Sequence, residues 1–206
     1  MATNKIYGIL LGTILLAAAE AQAQNQVLKI DIFQPIVNTA ALSYERKLSE
    51  SSSFQLGVSV TAKYPEDGEN FPSSYAGRKS SGVGIMPQYR LYLSEKHPAP
   101  EGFYVAPYLR YQYLRQQGQY EEFNPATGTS TIRKSDASLN AFGGGIVVGR
   151  HWIFKRLFSL DTFLGPSYMA SRVSTTNPNV NRDSFLGFYE DSNYGIRGGL
   201  TFGFAF

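Results

Sequence analysis

The chain has 206 residues, a formal net charge of +3 and no cysteine, enough length for one domain and its core. The absence of cysteine excludes a disulfide framework, a cysteine-ligated metal and a lipid-anchored cysteine. The positive charge is mild and scattered rather than striped, which argues against a nucleic-acid partner.

The first stretch reads as a targeting segment. "MATNK" carries Lys5, "IYGILLGTILLAAA" is apolar, and "AEAQAQ" is small and polar. That order is the order of a secretory signal peptide. Ala21-Gln22-Ala23 fits the small-x-small cleavage pattern, so residues 1–23 are assigned to the signal peptide and residues 24–206 to a single domain. The alternative, a membrane anchor, needs a longer span than this run offers. Beyond residue 24 no apolar run approaches the roughly 18 residues of a transmembrane helix, and by hydropathy alone the rest looks soluble.

From there on the period is two, not 3.6. Residues 27–33 and 39–48 alternate weakly. In 53–64, Phe54, Leu56, Val58, Val60, Ala62 and Tyr64 oppose Ser53, Gln55, Gly57, Ser59, Thr61 and Lys63. In 82–93, Val83, Ile85, Pro87, Tyr89, Leu91 and Leu93 oppose glycines, Met86, Gln88, Arg90 and Tyr92. In 103–116, Phe103, Val105, Pro107, Leu109, Tyr111 and Tyr113 oppose Tyr104, Ala106, Tyr108, Arg110, Gln112 and Gln116. Residues 138–154 are strand-like with two faces that are hard to separate, and Gly143, Gly144 and Gly145 suggest a bulge or bend there. Residues 157–171 and 192–206 complete the set. With 14 Tyr, 14 Phe and 20 Gly the composition agrees with strands.

About eight strands result, joined by connections that alternate in length. "SESS", "SEKHPAPE" and "KR" are short to moderate, whereas 65–80, 117–135 and 173–191 are long and polar. Short turns at one end and long loops at the other are the layout of a transmembrane barrel, and they put both ends of the domain at the short-turn end. The connection at 34–38 is short in the long-loop phase. A soluble lipocalin-like barrel would show the same alternation turned inside out. Side-chain size decides between them. The polar face is also the small face, and the interior of an eight-stranded barrel has little room. The bulky apolar face therefore points outward, where it needs lipid. The fold class expected is an all-β, eight-stranded antiparallel transmembrane β-barrel of outer-membrane type, preceded by a signal peptide.

The ionisable residues agree with that phase. Arg90, Arg110 and Arg197 lie on the small face, and each would cost about 2–4 kcal/mol if turned to lipid near the midplane. Glu45, Asp161 and Asp31 share the interior phase, so a lumen charge network of Glu45, Arg90, Arg110, Asp161 and Arg197 is expected. Separate, water-solvated charges are the alternative. Tyr44, Phe54, Phe103, Phe158, Phe204 and Phe206 fall near the short-turn end, and Tyr64, Tyr111, Tyr113, Tyr168 and Tyr194 near the other. This reads as two aromatic girdles or as ordinary aromatic enrichment in strands. Pro87, Pro107 and Pro166 fall mid-strand on the outward face, where each removes a ladder donor. They predict bulges, weak points or breaks, with Pro87 and Pro107 side by side.

Several blocks carry a resemblance. "YERKLSESSSFQLG", "PQYRLYL", "APEGFYVAPYLRYQ", "FGGGIVVGRHWIF" and "LDTFLGPSY" resemble small outer-membrane barrels of Bacteroidota, a family catalogued as a domain of unknown function. The resemblance covers most of residues 27–206 and implies the plan of the small eight-stranded outer-membrane proteins, without known chemistry. The ending "GLTFGFAF" resembles the terminal signal read by the barrel-assembly machinery, which assigns Phe202, Phe204 and Phe206 to that signal.

For catalysis, Ser159, His151 and Asp161 can be drawn as a triad. Ser159 and Asp161 share the inward phase away from lipid, and the phase of His151 is open. His97 sits in a short turn beside Pro98. No catalytic, cofactor or metal residue is assigned. The function expected is a non-enzymatic outer-membrane barrel with a structural or surface-interaction role through its long loops. A narrow channel or small-solute transporter, and a lipid-modifying envelope enzyme, are the alternatives. The expected partners are outer-membrane lipid, the barrel-assembly machinery and an unidentified extracellular ligand or envelope protein.

Overall fold

The structure is a computed structural model and describes residues 25–63, 79–94, 98–125, 128–176, 185 and 193–206. The segment expected as a signal peptide, Tyr64, His97 and most of the long-loop residues lie outside the described residues. Eight antiparallel strands close into a barrel in chain order. They are β1 (Gln26–Asp31), β2 (Thr39–Ser49), β3 (Ser52–Lys63), β4 (Lys79–Tyr92), β5 (Gly102–Asn124), β6 (Thr129–Phe154), β7 (Phe158–Thr175) and β8 (Tyr194–Ala205). A 3-10 turn, Gln34–Val37, joins β1 to β2.

Closure is made by β1 against β8, with Val27 facing Ala205 and Asp31 facing Thr201. The backbones of Gln26 and Phe206 exchange both hydrogen bonds, at 3.1 and 2.9 Å. The two ends of the barrel domain therefore meet at the short-turn end. Above Asp31 the chain leaves the wall. Ile32 still donates to the Leu200 carbonyl at 3.2 Å, but the 3-10 turn then leans on β2. The upper part of β8, Tyr194–Gly199, pairs with β7 and with no residue of β1. The wall is lowest at this seam.

The two faces separate as size demands. Leu42, Tyr44, Phe54, Leu56, Val58, Val83, Ile85, Leu109, Ile146, Leu164 and Phe202 are exposed on the outside. On β5 the outward series runs Phe103, Val105, Pro107, Leu109, Tyr111 and then turns polar at Arg115. An apolar belt of this height matches the 9–11 residues with which a tilted strand crosses a bilayer. The phase of β6 is now fixed: Ala137, Leu139, Ala141, Gly143, Val147 and His151 are buried, and Phe142, Ile146 and Val148 are exposed. Its faces were hard to separate because both carry aliphatic side chains. Arg150 is on the outward face, where its guanidinium lies over the Phe103 and Trp152 rings at 4.6 and 5.0 Å.

Inside, large residues stand across from glycine. Tyr104 pairs with Gly149, Phe163 with Gly199 and Lys29 with Gly203. A Cβ on Gly149 or on Gly199 would lie 2.5 Å from the Cζ of the facing ring. Gly149 and Gly199 leave the space that the facing rings occupy.

Two expectations about strand defects change. The β5–β6 register runs from Gly102 against His151 to Asn124 against Thr129 without a shift, so Gly143, Gly144 and Gly145 make no bulge. There the neighbouring strands come too close for a side chain, and an added Cβ would meet the carbonyls of Tyr168, Tyr108 and Pro166. The prolines thin the ladder without breaking a strand. Pairing between β4 and β5 lapses around Met86–Pro87 and Tyr89–Arg90 while the register is kept on both sides. That register sets Pro87 opposite Leu109 and Pro107 opposite Tyr89, so the two are diagonal rather than side by side. Between β6 and β7 the pairing lapses at Ile146 and Val147, across from Pro166 and Gly165.

The strands β5 and β6 also run further than their apolar alternation. Gly118–Asn124 and Thr129–Ser135, expected as loop, pair among the described residues only with each other and form a two-stranded ribbon. Outside lipid neither face of a ribbon needs to be apolar, so the period that marks the belt is lost. Arg133 Nε donates to Glu122 at 2.5 Å across it.

Candidate functional site

The lumen holds the chemistry, in two tiers. The lower tier is built from Lys29 on β1, Glu45 on β2, Ser53 on β3, Arg90 and Tyr92 on β4, Tyr104 on β5, His151 on β6 and Asp161 on β7. Each is inward by strand parity and none is more than 4 % exposed. Lys29 Nζ donates to Glu45 Oε2 at 2.5 Å and to Asp161 Oδ2 at 3.0 Å. Arg90 Nη1 donates to Asp161 Oδ2 at 2.7 Å and lies 3.2 Å from Glu45 Oε2. The remaining carboxylate oxygens accept from hydroxyls. Tyr92 and Ser53 donate to Glu45 Oε1, the tyrosine at 2.6 Å, and Tyr104 donates to Asp161 Oδ1 at 2.8 Å. The Arg90 guanidinium also lies 4.3 Å from the Tyr104 ring centroid.

Two formal cations face two formal anions here, and each carboxylate takes hydrogen bonds on both oxygens. A buried ion pair holds only under those conditions. The cluster draws on seven of the eight strands, so it ties opposite walls together and fills the lumen.

The interior acids and arginines named from the sequence are thus divided. Glu45, Arg90 and Asp161 meet in the lower tier, whereas Arg110 and Arg197 do not join them. Arg110 donates to Gln112 at 2.8 Å. The Arg197 guanidinium lies 5.0 Å from the Tyr108 ring centroid and 4.3 Å from that of Phe163. Asp31 accepts from the backbone amides of Phe33 and Gln34 at 2.9 and 3.1 Å, which fixes the start of the 3-10 turn. Lys29 was missed, although its parity with Val27 and Asp31 against Leu28, Ile30 and Ile32 was a readable signal. His151 was missed as a cluster member because the phase of β6 was open. Its Nδ1 lies 3.4 Å from the Tyr92 hydroxyl and 3.8 Å from Glu45 Oε2.

The triad drawn from the sequence does not form. His151 and Asp161 face each other across β6 and β7, but among the described residues the Ser159 hydroxyl has no hydrogen-bond partner. All three side chains are fully buried, so no substrate reaches them.

The upper tier differs. It holds an apolar cluster of Leu114, Leu139, Ala141 and Met169, on which Val173 and Phe185 pack, and, lined by other residues, a cavity of about 50 Å³. The cavity lining includes Arg110, Arg197 and the small residues Ser43, Gly57, Ser59 and Gly84. The apolar cluster was not expected, since the interior was read as polar.

Comparison with known proteins adds a family. The model of the family described as "Protein of unknown function (DUF3575)" matches residues 9–186. The chain belongs to that family. No curated protein matches it. Among solved structures it is similar to a major outer membrane protein from Thermus thermophilus, with 16% identity and a TM-score of 0.49 over 88% of this chain and 98% of that one. It is also similar to Acinetobacter baumannii CarO2, with 11% identity and a TM-score of 0.44 over 88% and 97%. A third is the N-terminal β-barrel domain of Pseudomonas aeruginosa OprF, with 13% identity and a TM-score of 0.34 over 90% and 100%.

The C-terminal aromatics of this DUF3575 chain stand at the closing seam. Phe202 and Phe204 are exposed on β8, and their rings lie 6.0 and 5.6 Å from that of Phe158 on β7. Phe206 holds the last backbone pair of the barrel, with Gln26.

Proposed function

We propose that the chain is an integral outer-membrane β-barrel with a closed lumen, and that it serves as a structural or surface-interaction protein rather than as a pore or an enzyme. The observation that carries this reading is the lower tier: Lys29, Glu45, Arg90, Tyr92, Tyr104 and Asp161 fill the lumen from wall to wall, out of contact with solvent. A solute would have to break several charge-assisted hydrogen bonds to pass, and each such bond contributes about 1.5–3 kcal/mol. The exposed apolar belt supports insertion in a bilayer, because soluble proteins seldom expose apolar patches of this extent.

The surface role rests on the β5–β6 ribbon, which rises beyond the belt and exposes Phe123 and Ile132. Rigid scaffolds often present binding groups on such projections. Two measurements test the reading. Refolded protein in planar bilayers should show no discrete openings, and steady single-channel steps would overturn the closed lumen. An epitope tag inserted beside Gly128 should bind antibody on intact cells. Access only after the outer membrane is opened would overturn the orientation.

A further inference from the structure

We propose that the outer surface at the foot of β6 and β7 binds the phosphate of an anionic glycerophospholipid from the periplasmic leaflet, with Arg150 as its cation and Thr162 as a second donor. This rests on the outer-membrane reading above. Arg150 is the starting point, because it is exposed on the outward side of β6, the side that carries the apolar belt. Phe103 faces it on β5, and Thr162, also exposed, faces it on β7. Among the described residues neither the Arg150 nor the Thr162 side chain takes part in an ion pair or a hydrogen bond. The guanidinium lies 4.6 and 5.0 Å from the Phe103 and Trp152 ring centroids. Ring contacts attract a cation, but they leave its charge uncompensated and its donors without an oxygen.

Height selects the kind of partner. Phe103 is the second residue of β5, and only Trp152 and Phe154 follow Arg150 on the outward face before the β6–β7 turn. Arg150 thus stands at the lower edge of the belt, where an arginine is tolerated, and not near the midplane, where it is costly. Above it the outward neighbours are Val148 and Leu164, both more than half exposed, so acyl chains cover that side. Headgroups meet the lower side. Short turns of such barrels face the periplasm, which makes these the headgroups of glycerophospholipids.

Charge selects among them. Lys155 and Arg156 are exposed in the turn below. The one acid between Val148 and Leu164 is Asp161, which points into the lumen and pairs with Lys29 and Arg90. Glu101, just ahead of β5, makes no ion pair with Arg150, Lys155 or Arg156. Three cations therefore face the bilayer here without a carboxylate from their own strands. A zwitterionic headgroup would find no acceptor for its ammonium on this surface. A phosphate diester without a cation of its own meets a planar fork of donors and a hydroxyl.

Trp152, the single tryptophan, reports on the site because its ring lies beside Arg150. The protein is refolded into phosphatidylcholine vesicles that carry brominated acyl chains either on a fraction of the phosphatidylcholine or on an equal fraction of phosphatidylglycerol, and quenching of Trp152 is compared. Brominated phosphatidylglycerol should quench with a preference of about 5-fold, the contribution of one basic side chain at an anionic surface. Arg150→Gln should abolish the preference and Thr162→Val should reduce it. Arg46, exposed on the outward face of β2, is four strands away round the ring, and Arg46→Gln removes the same charge but should leave the preference intact. Equal quenching by the two lipids in the wild type, or an undiminished preference in Arg150→Gln, would overturn the site. So would an equal loss in Arg46→Gln, which would reduce the effect to general surface charge. An unchanged Thr162→Val would overturn the part given to the hydroxyl. Quenching by neither lipid would overturn the membrane reading itself.

Discussion

Glu45→Gln is the sharpest perturbation of the lumen. The substitution keeps size and shape but removes one of the two anions of a cluster with two cations. Lys29, at 2.5 Å, and Arg90, at 3.2 Å, both lose a carboxylate and are left to share Asp161 in a site without solvent. The charge-assisted hydrogen bond from Lys29 accounts for about 1.5–3 kcal/mol of the loss, and the ion pair with Arg90 adds to it. Breaking a buried ion pair by removing one partner costs about 3–5 kcal/mol in all. The assay is denaturant unfolding of the refolded barrel, followed by the fluorescence of its single tryptophan, Trp152. Removing the facing cation as well, in Lys29→Met with Glu45→Gln, restores the balance with Arg90 and Asp161. The double variant should therefore lose clearly less than the sum of the two single losses. A Glu45→Gln protein within about 0.5 kcal/mol of wild type, or strictly additive losses, would refute the claim that this cluster is a balanced unit.

Three further outcomes are expected. Gly149→Ala places a Cβ 2.5 Å from the Tyr104 ring and 2.7 Å from the Thr162 carbonyl, and should destabilise by about 1–3 kcal/mol. Gly57→Ala meets only the flexible Met86 Cε at 3.2 Å and should cost less, so equal losses in unfolding would contradict the packing account. On the ribbon side of the belt, hydrogen bonds from Arg115 hold the Asp136 carboxyl below its ordinary 3.8. The contribution of that contact is present above the ordinary carboxylate range and fades only as the pH falls through the lowered value; carbon-13 NMR of Asp136 should titrate below 3.8, and titration above it would exclude the contact in solution. Deleting Phe206 removes the last backbone pair with Gln26 and should reduce the amount of assembled, heat-modifiable protein in the outer membrane. Normal assembly would leave the C-terminal aromatics as a seam and not as a signal.

Eight strands and the sense of their faces were legible because a barrel wall in lipid enforces a period of two: one register slip turns every side chain over. Arg90, Arg110 and Arg197 reinforced it, since none of them tolerates lipid. The same logic explains where the reading stopped. In β6 the interior accepts Leu139 and Val147 and the exterior accepts Arg150 near the Phe103 and Trp152 rings, so polarity no longer reports direction. In the β5–β6 ribbon no lipid acts on either face, and the strands leave no apolar period behind.

Which interior charges meet was a matter for the tertiary structure alone. Parity puts Arg90, Arg110 and Arg197 on one face, but only the stagger between neighbouring strands sets their heights. That stagger brings Arg90 level with Glu45, Asp161 and Lys29, and lifts Arg197 to the level of Tyr108 and Phe163. The local chain determined that these side chains point inward. Closure of eight strands into a ring determined which of them share a tier, because distance across a lumen depends on register around the whole circumference and not on any one strand.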